Sequence, residues 1–137
     1  MPKPDYRLIA ALLAPLLVWP WVPMWNEAVF KYGSAGAIVL VISIAVLEEI
    51  LFRGFLQGWL LGRAQFRQRS FCFSRAIWLS SLAFAIAHIW THSLILVPGY
   101  FAVGIVLGYF RERYKGILIP VLLHAYYNLG LLYFFVR

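Results

Sequence analysis

Long apolar runs broken only by short basic loops dominate this chain, and few folds accept such a pattern. A helix crossing a hydrocarbon core about 30 Å thick needs roughly 20 mostly apolar residues. Five stretches meet or approach that length: 8–25, 34–61, 75–90, 94–110 and 117–136. The side-chain inventory agrees, because 64% of residues are hydrophobic and only 12% are charged. A soluble domain needs about 25% charged residues to coat its surface. The pattern predicts an all-α fold, a polytopic transmembrane bundle of about five helices forming one domain over residues 1–137.

The net charge of +7 does not point to nucleic acid, because most of the cations sit in short clusters between apolar runs. Lys3 and Arg7 form one cluster, Arg63, Arg67, Arg69 and Arg75 a second, and Arg111, Arg113 and Lys115 a third. With five spans all three fall on one side, which receives anionic head groups and marks the cytoplasmic face. The N-terminus is expected inside and the C-terminus outside. Lys3 and Arg7 before an apolar run also resemble the start of a signal peptide, but the run continues through Trp19, Trp21 and Trp25 with no small-residue cleavage site. It reads as a retained first span, kinked by Pro15, Pro20 and Pro23. The single Cys72 excludes an internal disulfide framework and reads as a small interfacial residue.

Ionisable residues inside spans are costly and tend to pair, line water or do chemistry. The second run holds Glu48, Glu49 and Arg53. Glu49 and Arg53 are four apart, on one helix face and within pairing distance. That pair has a structural explanation; it leaves Glu48 over. The third run contributes Phe84 and His88, the fifth His124 and Asn128, each pair again four apart. Taken singly, either histidine is more often a hydrogen-bonded core residue than a catalytic one.

Depth brings them together. At 1.5 Å per residue, Glu48 lies roughly 22 Å from the inner end of its run, His88 roughly 20 Å and Asn128 roughly 18 Å, with His124 one turn closer to the inner side. Three helices thus present a carboxylate, imidazoles and an amide at a similar level.

Glu48-Glu49-x-x-x-Arg53, then Phe84-x-x-x-His88, then His124-x-x-x-Asn128 resembles the three ordered motifs of the CAAX-processing and bacteriocin-processing intramembrane proteases, the CPBP or ABI family. The resemblance implies a glutamic-type intramembrane endopeptidase that works without a metal or other cofactor. In it Glu48 activates a water, His88 helps to hold that water, and His124 and Asn128 stabilise the oxyanion. Glu49, Arg53 and Phe84 support them. Residues 34–136 would be the catalytic core and 1–33 an accessory N-terminal span and loop. A water-filled polar cavity is expected around Glu48. The implied substrate is a membrane-embedded or lipid-anchored protein segment: a prenylated tail, a bacteriocin leader, or a C-terminal sorting helix. The small size resembles bacterial sorting-associated members in the cytoplasmic membrane, working with an accessory membrane partner or as a homo-oligomer.

Two other readings stay open at this point. Glu48, His88 and His124 could supply one oxygen and two nitrogens to zinc, although no His-Glu-x-x-His helix is present. A non-enzymatic membrane immunity protein, chaperone or transporter subunit could use the same polar groups as a structural network. A serine mechanism is weaker, since Ser80 and Ser81 have no Gly-x-Ser-x-Gly elbow. Gly33, Gly36, Gly99, Gly104 and Gly108 read as points of close helix approach. Tyr126 and Tyr127 read as interior packing, and His92 as an exposed residue of an outer turn.

Overall fold

Because its backbone must satisfy itself in an apolar medium, a chain of this composition has reason to be helical, and the computed structural model is helical almost throughout. It describes residues 4–18 and 34–135. The elements are α1 (Tyr6–Val18), α2 (Ser34–Glu49), a π-helical segment (Ile50–Leu56), α3 (Gln57–Leu61), α4 (Ala64–Arg67), strands β1 (Arg69–Ser70) and β2 (Phe73–Ser74), α5 (Arg75–Ala87), α6 (Val97–Arg113) and α7 (Leu118–Phe135). Short 3-10 turns at His88–Trp90 and Leu94–Leu96 join α5 to α6.

Among the described residues two continuous helical stretches are long and apolar enough to cross a membrane: Ala35–Leu61, with 27 residues, and Leu94–Arg113, with 20. Three further apolar helices, Tyr6–Val18, Arg75–Trp90 and Leu118–Tyr133, have 10–17 residues each. The described bounds follow the five apolar runs of the sequence, the first helix being described as far as Val18. Trp19, Trp21, Trp25, Pro20, Pro23 and Gly33 lie outside the described residues, as do Lys3 and Arg137. Large apolar side chains such as Leu17, Trp90 and Leu118 are exposed on the outside of the bundle. Lipid tolerates such a surface, whereas water disfavours extended apolar patches.

The closest packing is between α5 and α6, and glycine sets the distance. A Cβ built on Gly104 would lie 2.9 Å from the Cβ of Ser81, closer than two carbons tolerate. Gly108 has Ile77 and the Gln57 side chain against it. Both thus serve as the expected close-approach glycines, whereas Gly99 has nothing within 4 Å of a built Cβ. Ser74 caps α5, its Oγ accepting from the Ile77 N–H at 3.1 Å. Leu107, Phe110, Leu123 and Tyr127 form the apolar core between α6 and α7.

Helix α1 has no buried residue; Leu8 and Ala11 pack against the core, and polar contacts tie both of its ends. Pro15 has no N–H to offer the Ala11 carbonyl one turn back. The Tyr127 hydroxyl donates to that carbonyl at 2.9 Å, and Tyr126 donates to the Leu12 carbonyl, also at 2.9 Å. At the other end Asp5 accepts from Arg113 Nε at 2.6 Å and from the Tyr114 hydroxyl at 2.7 Å. These two donors hold the Asp5 carboxyl well below its ordinary value, at about 2, Tyr114 contributing most. Arg7 donates to the Tyr109 hydroxyl. Arg7 of the N-terminal cluster and Arg113 of the third therefore meet at one end of the bundle.

Gly104→Ala is expected to destabilise the fold by about 1–3 kcal/mol, the usual cost of overpacking. Thermal unfolding in detergent checks this as a fall of several degrees in the midpoint.

Candidate active site

Glu48 and Glu49 are adjacent at the end of α2, yet their environments differ completely. The Glu49 side chain is fully buried, whereas that of Glu48 is 27% exposed. Glu49 spends both oxygens on partners. Its Oε2 lies 3.5 Å from Arg53 Nε, and its Oε1 lies 3.0 Å from His124 Nδ1. The structural pairing read from the four-residue spacing is thus present, and Glu48 is the carboxylate left over.

Arg53 is itself fully buried, donates to the Gly104 carbonyl at 3.3 Å and lies over the Phe84 ring at 4.9 Å. The π-helical segment arranges this stripe. Its turns close through i→i−5 bonds, as from the Gln57 N–H to the Phe52 carbonyl, and so hold more residues than an α-turn of 3.6. The wider turn offsets the drift that four-residue spacing accumulates on an α-helix. Glu49, Arg53 and Gln57 consequently face one seam, against Gly104, Gly108 and Glu112 of α6. Gln57 Nε2 donates to the Gly108 carbonyl at 3.0 Å and to Glu112 Oε1 at 3.2 Å.

Two imidazoles converge on Glu48. His88 Nε2 lies 3.9 Å from Glu48 Oε1, and His124 Nε2 lies 3.5 Å from Glu48 Oε2. The tautomer of each follows from its other nitrogen. His88 Nδ1 sits 2.8 Å from the Phe84 carbonyl, which can only accept, so Nδ1 holds the proton and Nε2 presents a lone pair. His124 Nδ1 donates to Glu49. Its Nε2 and the facing Glu48 oxygen would both be acceptors, so this contact is favourable with a proton between them.

Ring packing fixes the imidazoles in place. Phe84 contacts both, with centroids 4.4 Å from His88 and 5.6 Å from His124. Tyr100 stacks on His88 at 4.2 Å with planes 24° apart. Asn128 lies one turn beyond His124 on α7, half-buried, with no hydrogen bond among the described residues. Six of the seven expected site residues thus form one connected cluster: Glu48, Glu49, Arg53, Phe84, His88 and His124.

Three features escaped the sequence reading. Tyr100 has no motif around it, and Gln57 is legible only by extending the Glu49–Arg53 spacing one more step. His92, expected to be exposed, is instead half-buried, with its ring 5.5 Å from His88 and 5.0 Å from Tyr100. The 3-10 turn after Ala87 folds it back beside the site. Tyr126 and Tyr127 pack as expected, with the added duty of anchoring α1. Among the described residues no group of three or more His, Cys, Asp or Glu side chains is arranged to hold a metal ion.

Comparison with known proteins decides the family. The model for Rce1-like type II CAAX prenyl endopeptidases matches residues 8–130. The chain belongs to the Rce1-like family. This is a membrane-embedded protease family within the CPBP group, in agreement with the three motifs. An uncharacterized 24.3 kDa protein of Escherichia coli is 32% identical over 131 residues. The match covers 89% of this chain and 56% of that relative, so the chain spans little more than half the relative's length. No solved structure matches the chain.

Replacing Arg53 by Met is expected to cost about 3–5 kcal/mol, because the buried Glu49 carboxylate loses its counter-charge. Loss of the monodisperse species on size-exclusion chromatography, or a collapse of the thermal midpoint, would register it.

Proposed function

We propose that the chain is a glutamic-type intramembrane endopeptidase in which Glu48 is the general base. The observation that carries this reading is the contrast between the paired glutamates. Glu49 is neutralised by Arg53 and His124, whereas Glu48 is accessible and faces two imidazole nitrogens.

His88 Nε2 and Glu48 Oε1 are both acceptors, and their 3.9 Å separation is too long for a direct hydrogen bond. A water about 2.8 Å from each would subtend an angle of roughly 90°, close to its own bond angle. Such a water donates both protons and keeps a lone pair free for attack. Glu48 takes one proton as the oxygen–carbon bond forms at the scissile carbonyl, a role within the usual reach of general-base catalysis. The carbonyl oxygen becomes the oxyanion, for which His124 and the Asn128 amide are the available donors. As the tetrahedral intermediate collapses, the carbon–nitrogen bond breaks. Protonated Glu48 then delivers its proton to the departing amine. Before attack His124, fixed by Glu49 through Nδ1, orients Glu48 through a protonated Nε2; once Glu48 has taken the water's proton, that N–H turns to the oxyanion.

The substrate is a membrane-embedded or lipid-anchored protein segment cut near its end, consistent with the prenyl endopeptidase description of the family. The bundle crosses the membrane with five helices. Its basic end faces the cytoplasm, in the cytoplasmic membrane of a bacterium.

Glu48→Gln preserves shape and hydrogen bonding while removing the base. Cleavage of a membrane-tail substrate is expected to fall at least 10²-fold, with the protein still folded. His124→Ala should lose about 10²–10³-fold. Wild-type turnover by Glu48→Gln, measured on the same substrate in detergent or proteoliposomes, would be incompatible with this mechanism. Strong chelators should leave the wild-type rate unchanged.

A further inference from the structure

A concave site lies at the basic end, away from Glu48 and Glu49. It is a cleft of about 1060 Å³ bounded by α1, the β1–β2 hairpin, α5 and α6. Its walls are apolar, with Ala10 and Ala14 of α1 facing Ile105 and Val106 of α6. Its mouth carries Arg7, Arg69 and Arg113. Glu112, the acid on its lining, is engaged by Gln57 and Ser74. Arg113 is tied to Asp5, and Arg7 gives one N–H to Tyr109. The Arg69 guanidinium has no acceptor among the described residues. The mouth therefore has uncommitted cationic donors above an apolar slot.

The hairpin tip adds an independent observation. Phe71 is 93% exposed and has a φ of 57°, a conformation uncommon for a bulky residue. Water gives no reason to hold a phenyl ring out at such a tip, whereas the head-group boundary favours aromatic side chains. The ring stands next to the cleft mouth and marks it as lying at lipid level.

We propose that this cleft binds one anionic phospholipid, its phosphate at Arg69 and Arg7 and an acyl chain between Ala10/Ala14 and Ile105/Val106. Cations at a membrane surface attract anionic lipid by electrostatics, and apolar walls give the chain a slot that bulk lipid does not offer. Small alanines on α1 leave the room. The lipid fills the gap beside a helix that has no buried residue of its own, and so braces α1 against α6.

The test is native mass spectrometry of the full chain released from neutral detergent with phosphatidylglycerol or phosphatidylcholine of matched chains. One phosphatidylglycerol should be retained in preference to phosphatidylcholine. The double variant Arg7→Gln/Arg69→Gln should weaken retention by about fivefold per arginine. Ala14→Phe keeps every charge and fills the slot; it should release the lipid as well. Equal retention of the two lipids would overturn the proposal, as would undiminished phosphatidylglycerol binding by Ala14→Phe. Circular dichroism and thermal midpoints identify any variant that is misfolded, and for these a photoreactive phosphatidylglycerol on wild type, labelling α1 or the hairpin, replaces the variant. Labelling confined to other helices overturns the proposal too. None of these readouts uses cleavage, so they stand apart from the protease reading.

Discussion

The buried Glu49–Arg53 pair is the contact on which the rest of the site depends. Two opposite charges inside an apolar bundle are unfavourable unless each is matched and further hydrogen-bonded. Here Glu49 gains His124, while Arg53 gains the Gly104 carbonyl and the Phe84 face. One ion pair thereby draws together α2, α5, α6 and α7. It also separates the roles of two neighbouring carboxylates, fixing one in the scaffold and leaving the other accessible between two imidazoles. The same side chains that stabilise the bundle orient the groups offered for chemistry.

The cluster also explains why the close approach of α5 and α6 matters to the site. Gly104 permits contact with Ser81 and simultaneously exposes its carbonyl to Arg53. A larger residue would separate the helices and shift the acceptor. Ser74, Gln57 and Glu112 extend the same polar seam toward the basic end. Packing and electrostatics here are one arrangement.

Much of this was readable from the chain. The apolar runs located the helices because lipid imposes length and continuity on a spanning segment. Four-residue spacing gave the Glu49–Arg53 pair, and similar depth grouped Glu48, His88 and Asn128, with His124 one turn closer to the inner side. Other features depend on geometry that spacing does not encode. The Tyr100–His88 stack joins residues twelve apart across a turn, with no periodicity to announce it. His92 is folded inward by a 3-10 turn whose residues carry no distinctive signal. The Tyr127–Ala11 bond had a local cause in Pro15, but its partner lay at the far end of the chain. Asn128, grouped with the site by its spacing from His124, shares the helix without bonding to the cluster.

The π-helical segment stores part of the site in the number of residues rather than in their identities. From Ile50 to Leu56 the chain winds more loosely than an ordinary helix, and that slack aligns Arg53 and Gln57 with their α6 partners. Tightening it by one residue would turn everything downstream by about 100° relative to α2. The arginine–glycine and glutamine–glycine contacts would then be traded for lipid on one flank, though every functional side chain were still present. Register in this stretch is therefore as much a determinant of the centre as any of its charged groups.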